Sequence, residues 1–99
     1  MYRTRLQHAR LQLRGSPSAT VLARRTRLSV GTVSQIERGE MRPGGKARGR
    51  LIRSLNLAPR TFDHFWLLAR QEYLLREQSA VSMQLAEIES ARKRRNLFP

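Results

Sequence analysis

The feature that most constrains the fold is a long segment without any helix-breaking residue. From Phe62 to about Arg94, neither proline nor glycine interrupts the sequence. At 1.5 Å per residue, a helix over this segment is roughly 50 Å long, which exceeds the width of a small domain. We therefore expect one long helix that extends beyond the core built by the rest of the chain.

Apolar residues recur in this segment every seven positions. The heptad seam consists of Leu67, Leu74, Val81 and Ile88, with Gln71, Gln78 and Leu85 at the complementary positions. About three such heptads are typical of a coiled coil, and paired polar residues in the seam favour one register. We expect a homodimer that forms through Leu67, Leu74, Gln78, Val81, Leu85 and Ile88. Two alternatives stay open: the segment folds back onto the domain, or residues 62–95 dock onto another protein.

Positive charge is concentrated in the first part of the chain. The sequence has 20 Lys and Arg residues, eighteen of them Arg, against seven acidic residues, and its net charge is +13. Residues 1–61 contribute +12, residues 62–91 contribute −3 and residues 92–95 contribute +4. Such a chain is attracted to polyanions, and Arg makes bidentate contacts with phosphate and guanine. Nucleic acid is therefore the expected partner.

Composition argues against several other classes of protein. The chain has no Cys, two His, one Asp and six Glu, and no spacing brings these together, so we expect no enzyme, no cofactor and no metal site. His64 and Asp63 are adjacent, but neighbouring side chains do not face each other on a helix. The longest apolar run, residues 65–69, is too short for a membrane span, and residues 1–13 are too charged for a signal peptide. We expect a cytoplasmic protein without a membrane partner.

Two short helices are predicted at the start of the chain. The first covers residues 2–14 and places four side chains on one face, namely Tyr2, Leu6, Ala9 and Leu13. Gly15 ends this helix, and Ser16-Pro17 is typical of an N-cap and first helical residue, with Ser18 as a competing cap. The second helix ends near Thr26, and its inward residues are Val21 or Leu22, Ala23 and Thr26.

Three further helices complete an all-α architecture. The third covers residues 30–38, from a Ser29 cap to an αL glycine at Gly39. Residues 40–49 form a mobile basic loop, and the fourth helix runs from about Ala47 to about Asn56 with Leu51, Ile52 and Leu55 in the core. Pro59 and Thr61 indicate the start of a fifth helix. We expect a domain at residues 1–61, a long helix at residues 62–95 that closes its core, and a tail at residues 96–99.

The most specific motif lies in the second and third helices and the segment that follows them. It consists of Leu22-Ala23, Leu28-Ser29, Val33-Ser34-Gln35-Ile36-Glu37-Arg38-Gly39 and Arg42-Pro43. This series resembles the lambda-repressor/Cro-like (xenobiotic-response-element type) helix-turn-helix family, over about residues 3–68. The resemblance implies a five-helix DNA-binding domain whose third helix enters the major groove.

The resemblance also implies which residues read bases. These are Val30, Gly31, Thr32 and Gln35, at the start and on the outward face of the third helix. Gln35 can form a bidentate pair with adenine, and Val30 and the Thr32 methyl can pack on a thymine methyl. Gly31 removes bulk, so that the helix can lie close to the bases.

Phosphate contacts are expected on both sides of this helix. The candidates are Thr20, Arg24, Arg25, Arg27, Ser34, Arg38, Arg42, Lys46, Arg48 and Arg50. The glycines at 44 and 45 also let backbone N–H groups approach a phosphate. Each neutralised phosphate makes the affinity more sensitive to salt.

The sequence departs from the family pattern at two positions near the turn. Ala19 stands where the family usually has a phosphate-binding Gln, and Arg27 stands where it has the turn glycine. A non-glycine residue with positive φ costs on the order of 1 kcal/mol, so either the turn differs or a phosphate contact from Arg27 offsets the strain. The family also pairs an Arg of the first helix with the Glu of the third, and Arg10 with Glu37 is the matching pair here.

These observations predict a sequence-specific, dimeric DNA-binding transcriptional regulator, most plausibly a bacterial, phage or plasmid repressor located in the nucleoid. A second hypothesis is an antitoxin-like adaptor whose last helix docks onto another protein. A third is non-specific binding of nucleic acid through charge alone, which equal affinity for scrambled duplexes would indicate.

Overall fold

The computed structural model describes residues 3–97, with side chains from Arg3 through Arg92, and the described part is helical without a strand. Its five helices are α1 (Arg5–Gln12), α2 (Ala19–Thr26), α3 (Val30–Glu37), α4 (Gly45–Leu55) and α5 (Pro59–Leu97). The all-α prediction with a long last helix is confirmed. Tyr2, which was expected on the inner face of the first helix, lies outside the described residues.

Short polar side chains determine where the first three helices begin. The Ser18 and Ser29 hydroxyls accept hydrogen bonds from the backbone N–H groups of Val21 and Thr32. Ser18 is therefore the cap of α2, and the Ser16 cap was wrong, because Ser16 has φ 43° and donates its hydroxyl to the Leu11 carbonyl instead.

The ends of α1 and the start of α4 differ from the predicted positions. Thr4 caps α1 in a reciprocal pair with Gln7, so the helix begins at Arg5, and extended backbone at Leu13 ends it before Gly15. The fourth helix begins two residues earlier than expected, with Gly44 as its cap. Glycine is tolerated there because the first N–H groups of a helix have no partner within the helix.

The core lies among all five helices. Its fully buried apolar residues are Leu6, Leu22, Ala23, Val33, Ile36, Leu51, Leu55 and Phe62. Leu13, Leu28 and Ile52 pack against it from its edge. The first turns of α5 close the core with Phe62, Trp66 and Ala69, which matches the predicted role of this segment.

Beyond the core, α5 continues as one rod. The molecule is 65 Å long and 24 Å across, and every described side chain from Leu74 to Arg92 is exposed. The described part of α5 therefore does not fold back onto the domain. Asn96 and Leu97 still belong to the helix, whereas Phe98 and Pro99 lie outside the described residues. Within the described residues, no helix has the length and apolar character needed to cross a bilayer.

Candidate nucleic-acid interface

The connection between α2 and α3 is a tight left-handed turn at Arg27. Arg27 has φ 58° and ψ 35°, the conformation that glycine normally supplies. The turn is closed by the Leu28 N–H, which donates to the Ala23 carbonyl at 3.0 Å. The arginine thus keeps the turn conformation that the family pattern implies, and it bears the backbone strain.

Helix α3 has a buried face and an exposed face. Val33 and Ile36 are fully buried, and they fix the helix against the core. Three of the four predicted base-reading residues, Val30, Gly31 and Gln35, are exposed, and the fourth, Thr32, is half-buried. The structure therefore brings all four to the accessible side of one helix.

The Thr32 hydroxyl is oriented by the cap of its own helix. The Ser29 hydroxyl accepts from the Thr32 N–H at 3.0 Å and donates to the Thr32 Oγ1 at 2.7 Å. Because Oγ1 already accepts this bond, its own proton is available for a further acceptor. Sequence analysis predicted only the methyl contact of Thr32 and missed the bond between the Ser29 and Thr32 hydroxyls.

The predicted phosphate-binding side chains fall into two groups. The first group is exposed and has no acidic partner in the described residues, and it comprises Arg24, Arg25, Arg27, Arg42 and Lys46. Thr20 is also exposed, and Ser34 is half-buried on α3. Arg42 additionally lies over the Trp66 ring, with 5.2 Å from its guanidinium carbon to the ring centroid.

The second group is held by partners within the protein. Arg38 pairs with Glu40, its Nε lying 2.7 Å from Oε2. Arg48 binds Asp63 through two hydrogen bonds of 2.9 and 2.8 Å, which hold the pKa of the Asp63 carboxyl below its ordinary value. Arg50 directs a guanidinium nitrogen towards the Thr26 carbonyl, at 3.5 Å. Each of these three guanidinium groups keeps further N–H donors, so it can bind a phosphate beside its partner or in exchange for it.

The predicted pair between Arg10 and Glu37 is confirmed, and it is buried. Arg10 Nε lies 2.9 Å from Glu37 Oε2, and the Glu37 side chain is 3% exposed. Burial raises the pKa of Glu37, while the hydrogen bond from Arg10 and the charges of Arg10 and Arg38 lower it. Thr4 reinforces the same junction by donating its hydroxyl to the Glu37 carbonyl at 2.7 Å.

The first turns of α5 hold the segment that follows α3. The Trp66 Nε1–H donates to the Met41 carbonyl at 3.0 Å, and Arg70 donates to the carbonyls of Gly39 and Glu40 at 3.1 and 3.3 Å. A Cβ at Gly39 would overlap the backbone of Ala69 and Arg70, so this glycine allows α5 to pass close to the end of α3. Sequence analysis missed these contacts, and the only signal was the i, i+4 spacing of Trp66 and Arg70.

The heptad seam lies on the other side of α5. Successive residues of an α-helix are rotated by about 100°, so Leu67 lies about 100–160° around the axis from Phe62, Trp66 and Ala69. The seam residues Leu67, Leu74, Val81, Leu85 and Ile88 are 49–57% exposed, and Gln78 is exposed as well. At the domain end, the seam borders a groove of about 380 Å³ lined by Arg42, Pro43, Arg48, Phe62, Asp63, Trp66 and Leu67.

A comparison with known proteins finds no family model, no curated protein and no solved structure that matches this chain.

Proposed function

We propose that the chain binds double-stranded DNA sequence-specifically through α3 and acts as a dimeric transcriptional regulator, a repressor of a bacterial, phage or plasmid operator. The observation that carries this proposal is the accessible face of α3, which presents Gln35 and Thr32. Around it lie exposed basic residues that form no ion pair within the described residues, namely Arg24, Arg25, Arg27 and Lys46. An amide, an oriented hydroxyl and a small apolar side chain form the kind of set that distinguishes base pairs in the major groove.

Base readout would be shared among the four residues on this face. Gln35 offers one acceptor and two donors for a bidentate pair with adenine. The Thr32 hydroxyl, one of whose two acceptor positions is occupied by Ser29, donates to a base acceptor such as guanine O6 or N7. Val30 contacts a thymine methyl, and Gly31 leaves open space, since a Cβ there would meet only the Ser29 hydroxyl at 4.0 Å.

Phosphate binding would come from the exposed basic residues on both sides of α3. Arg24, Arg25 and Arg27 precede the helix, and Arg42 and Lys46 follow it. Lys46 lies in the first turn of α4, whose cap Gly44 makes no side-chain hydrogen bond, so the first backbone N–H groups of that helix are also free to meet a phosphate. Five such contacts correspond to a slope of log K against log salt of about −4.

A dimer fits this function because one copy of α3 is short. Eight residues span only about 12 Å, which covers a few base pairs, and a two-fold dimer doubles the site. The exposed seam of α5 supplies an apolar face for that assembly. Removing the seam side chains from water on pairing would stabilise the dimer by burial of apolar surface.

The test is a selection of binding sites from random duplexes with the full chain, followed by titration of the selected duplex and a scrambled one. We expect a preference of roughly 10³ or more for the selected sequence at physiological salt. Gln35→Ala and Thr32→Ala should each reduce that preference, by about 1–3 kcal/mol per lost base contact. Gln84→Ala, which removes an exposed amide from the distal part of α5, should not change it.

Equal affinity for selected and scrambled duplexes would overturn the proposal and leave charge-driven binding in its place. A sequence preference that survives both α3 substitutions would place the reading face elsewhere. The slope of log K against log salt provides a second readout, since Arg24→Gln and Arg25→Gln should each reduce it by about one and weaken all duplexes alike.

A further inference from the structure

The seam of α5 contains two amides among five apolar side chains. Gln71 and Gln78 are exposed in the single chain and lie on the same face as Leu67, Leu74, Val81, Leu85 and Ile88. In a two-helix assembly, these amides are removed from much of their water. Whether they find partners then depends on the direction in which the second helix runs.

We propose that the second copy runs parallel and in register, so that each seam residue meets the same residue of its partner. Gln71 then faces the partner's Gln71, and Gln78 faces the partner's Gln78. An amide carries both donors and an acceptor, so two facing Gln side chains satisfy each other. The five apolar positions form like-with-like layers in the same arrangement.

An antiparallel arrangement pairs the amides with apolar side chains instead. With the seams fully overlapped, Gln71 would face the partner's Ile88, and Gln78 would face the partner's Val81. A buried polar group without a partner costs about 1–3 kcal/mol, and the two-fold symmetry repeats each loss. Shifting the register does not remove this penalty, because complementary positions always oppose the heptad leucines, valine and isoleucine in an antiparallel pair.

The domain leaves room for a parallel partner. The seam faces away from Phe62, Trp66 and Ala69, and every described side chain beyond Tyr73 is exposed. From Leu67 to Ile88, the overlap is about 32 Å long. A second helix can therefore lie along the seam without displacing any residue of the core.

The parallel direction has a consequence for DNA binding, which rests on the function proposed above. Both domains lie at the same end of the pair, one on each side of the coiled coil. Two copies of α3 can then face one side of a duplex, whereas an antiparallel pair would put them at opposite ends of the rod.

The experiment uses single cysteines, because the chain has none of its own. Gln71→Cys is oxidised under mild conditions in the full chain, and disulfide-linked dimer is measured on a non-reducing gel. In the parallel pair, the two cysteines face each other. In the antiparallel pair, they are about 25 Å apart, far beyond the 7 Å limit between Cα atoms. Ser90→Cys is the matched control, since Ser90 is exposed and lies about 140–160° around the helix from Leu85 and Ile88.

We expect about tenfold more linked dimer from Gln71→Cys than from Ser90→Cys, because only facing cysteines reach disulfide geometry. Linkage that appears only when Gln71→Cys is mixed with Ile88→Cys would overturn the parallel direction in favour of the antiparallel one. A monomeric mass by light scattering, with no linkage in any sample, would overturn the dimer and indicate that the seam docks onto another protein. None of these outcomes involves DNA, so failure here is distinguishable from failure of sequence-specific binding.

Discussion

The two halves of α5 are parts of one continuous helix, yet they have opposite relations to the rest of the molecule. In the proximal half, residues 59–73, Phe62 is 1% exposed and Trp66 is 6% exposed. In the distal half, residues 74–92, Leu74 is 49% exposed and Leu85 is 57% exposed. The distal half is richer in good helix formers than the proximal half, yet both are helical, so helical propensity does not explain why only the proximal half is buried.

This difference shows that the face with the regular repeat is not the face that builds the core. The heptad seam includes Leu67 in the proximal half, and even there it is 54% exposed. The core face consists of Phe62, Trp66 and Ala69, which have the same i, i+4, i+7 spacing but span only about two turns. The longer seam can be covered by a partner helix of similar length that supercoils with α5, whereas the domain meets α5 over only about four turns.

The largest expected effect is a difference between the two halves of α5 in how much a substitution to alanine lowers the free energy of unfolding. Phe62→Ala leaves a cavity among five helices, and we expect it to lower the free energy of unfolding by about 3–5 kcal/mol. Leu85→Ala is the matched substitution on the distal half, and below the concentration of dimerisation it should change that value by less than about 0.5 kcal/mol. Urea unfolding followed by circular dichroism measures both. A loss of several kcal/mol from Leu85→Ala in the monomer would contradict the comparison.

The next effect concerns the buried ion pair of the domain. Arg10→Met leaves Glu37 buried without its counter-charge, and we expect a loss of about 3 kcal/mol at pH 7. The pKa of Glu37 is already raised by burial and rises further when Arg10 is removed. A raised folded-state pKa contributes stability that is fully present below the unfolded-state value and is lost as pH rises through the folded-state value.

The deficit of Arg10→Met should therefore shrink as pH falls from 7 towards the ordinary glutamate value of 4.5, because Glu37, with its raised pKa, takes up a proton in the folded state before it does so in the unfolded chain. Urea unfolding of the variant and the unmodified chain across this range gives the difference directly. Arg48→Met, which removes a partly exposed pair with Asp63, is the control: it should cost less than Arg10→Met, and its cost should not shrink over this range. A deficit for Arg10→Met that does not change with pH would show that Glu37 is not the source.

A third substitution tests how closely the proximal half approaches α3. Gly39→Ala places a Cβ against the backbone of Ala69 and Arg70 in addition to the strain of φ 77°, and we expect a loss of about 2–4 kcal/mol. Gly15→Ala has a similar φ of 83° but meets nothing within 4 Å, so it should lose only about 1 kcal/mol. The difference between the two losses of stability measures the cost of the close contact between residue 39 and α5 alone. Equal losses would mean that α5 can move aside without cost.

The smallest effect concerns the strained turn between α2 and α3. Arg27→Gly relieves a positive φ and should raise the free energy of unfolding by about 0.5 kcal/mol, since the flexibility of glycine in the unfolded chain offsets part of the gain. If the guanidinium contacts a phosphate, the same variant should bind DNA more weakly, with a salt slope reduced by about one. Greater stability together with unchanged DNA binding would show that the arginine has no such contact.

Local features of this fold were largely predictable from the sequence. Ser29 and Gly39 bound α3 as expected, because capping depends on a side chain and the backbone within a few residues of it. The pair of Arg10 and Glu37 was also predictable, although only through the family pattern. The Thr-x-x-Gln sequence that caps α1 was equally local, and it was the signal that would have corrected the first helix boundary.

The sequence by itself determined five helices, the Ser29 cap and Gly39 end of α3, the basic character of the first 61 residues and the apolar repeat of the last helix. Tertiary structure decided which side chains meet across the chain. Asp63 holds Arg48, and Trp66 and Arg70 hold the segment after α3. These contacts join residues 15 or more positions apart, and their formation depends on how the helices pack against one another. The spacing of apolar residues along a helix does not predict that packing, because the spacing is the same on either side of the point where the core ends.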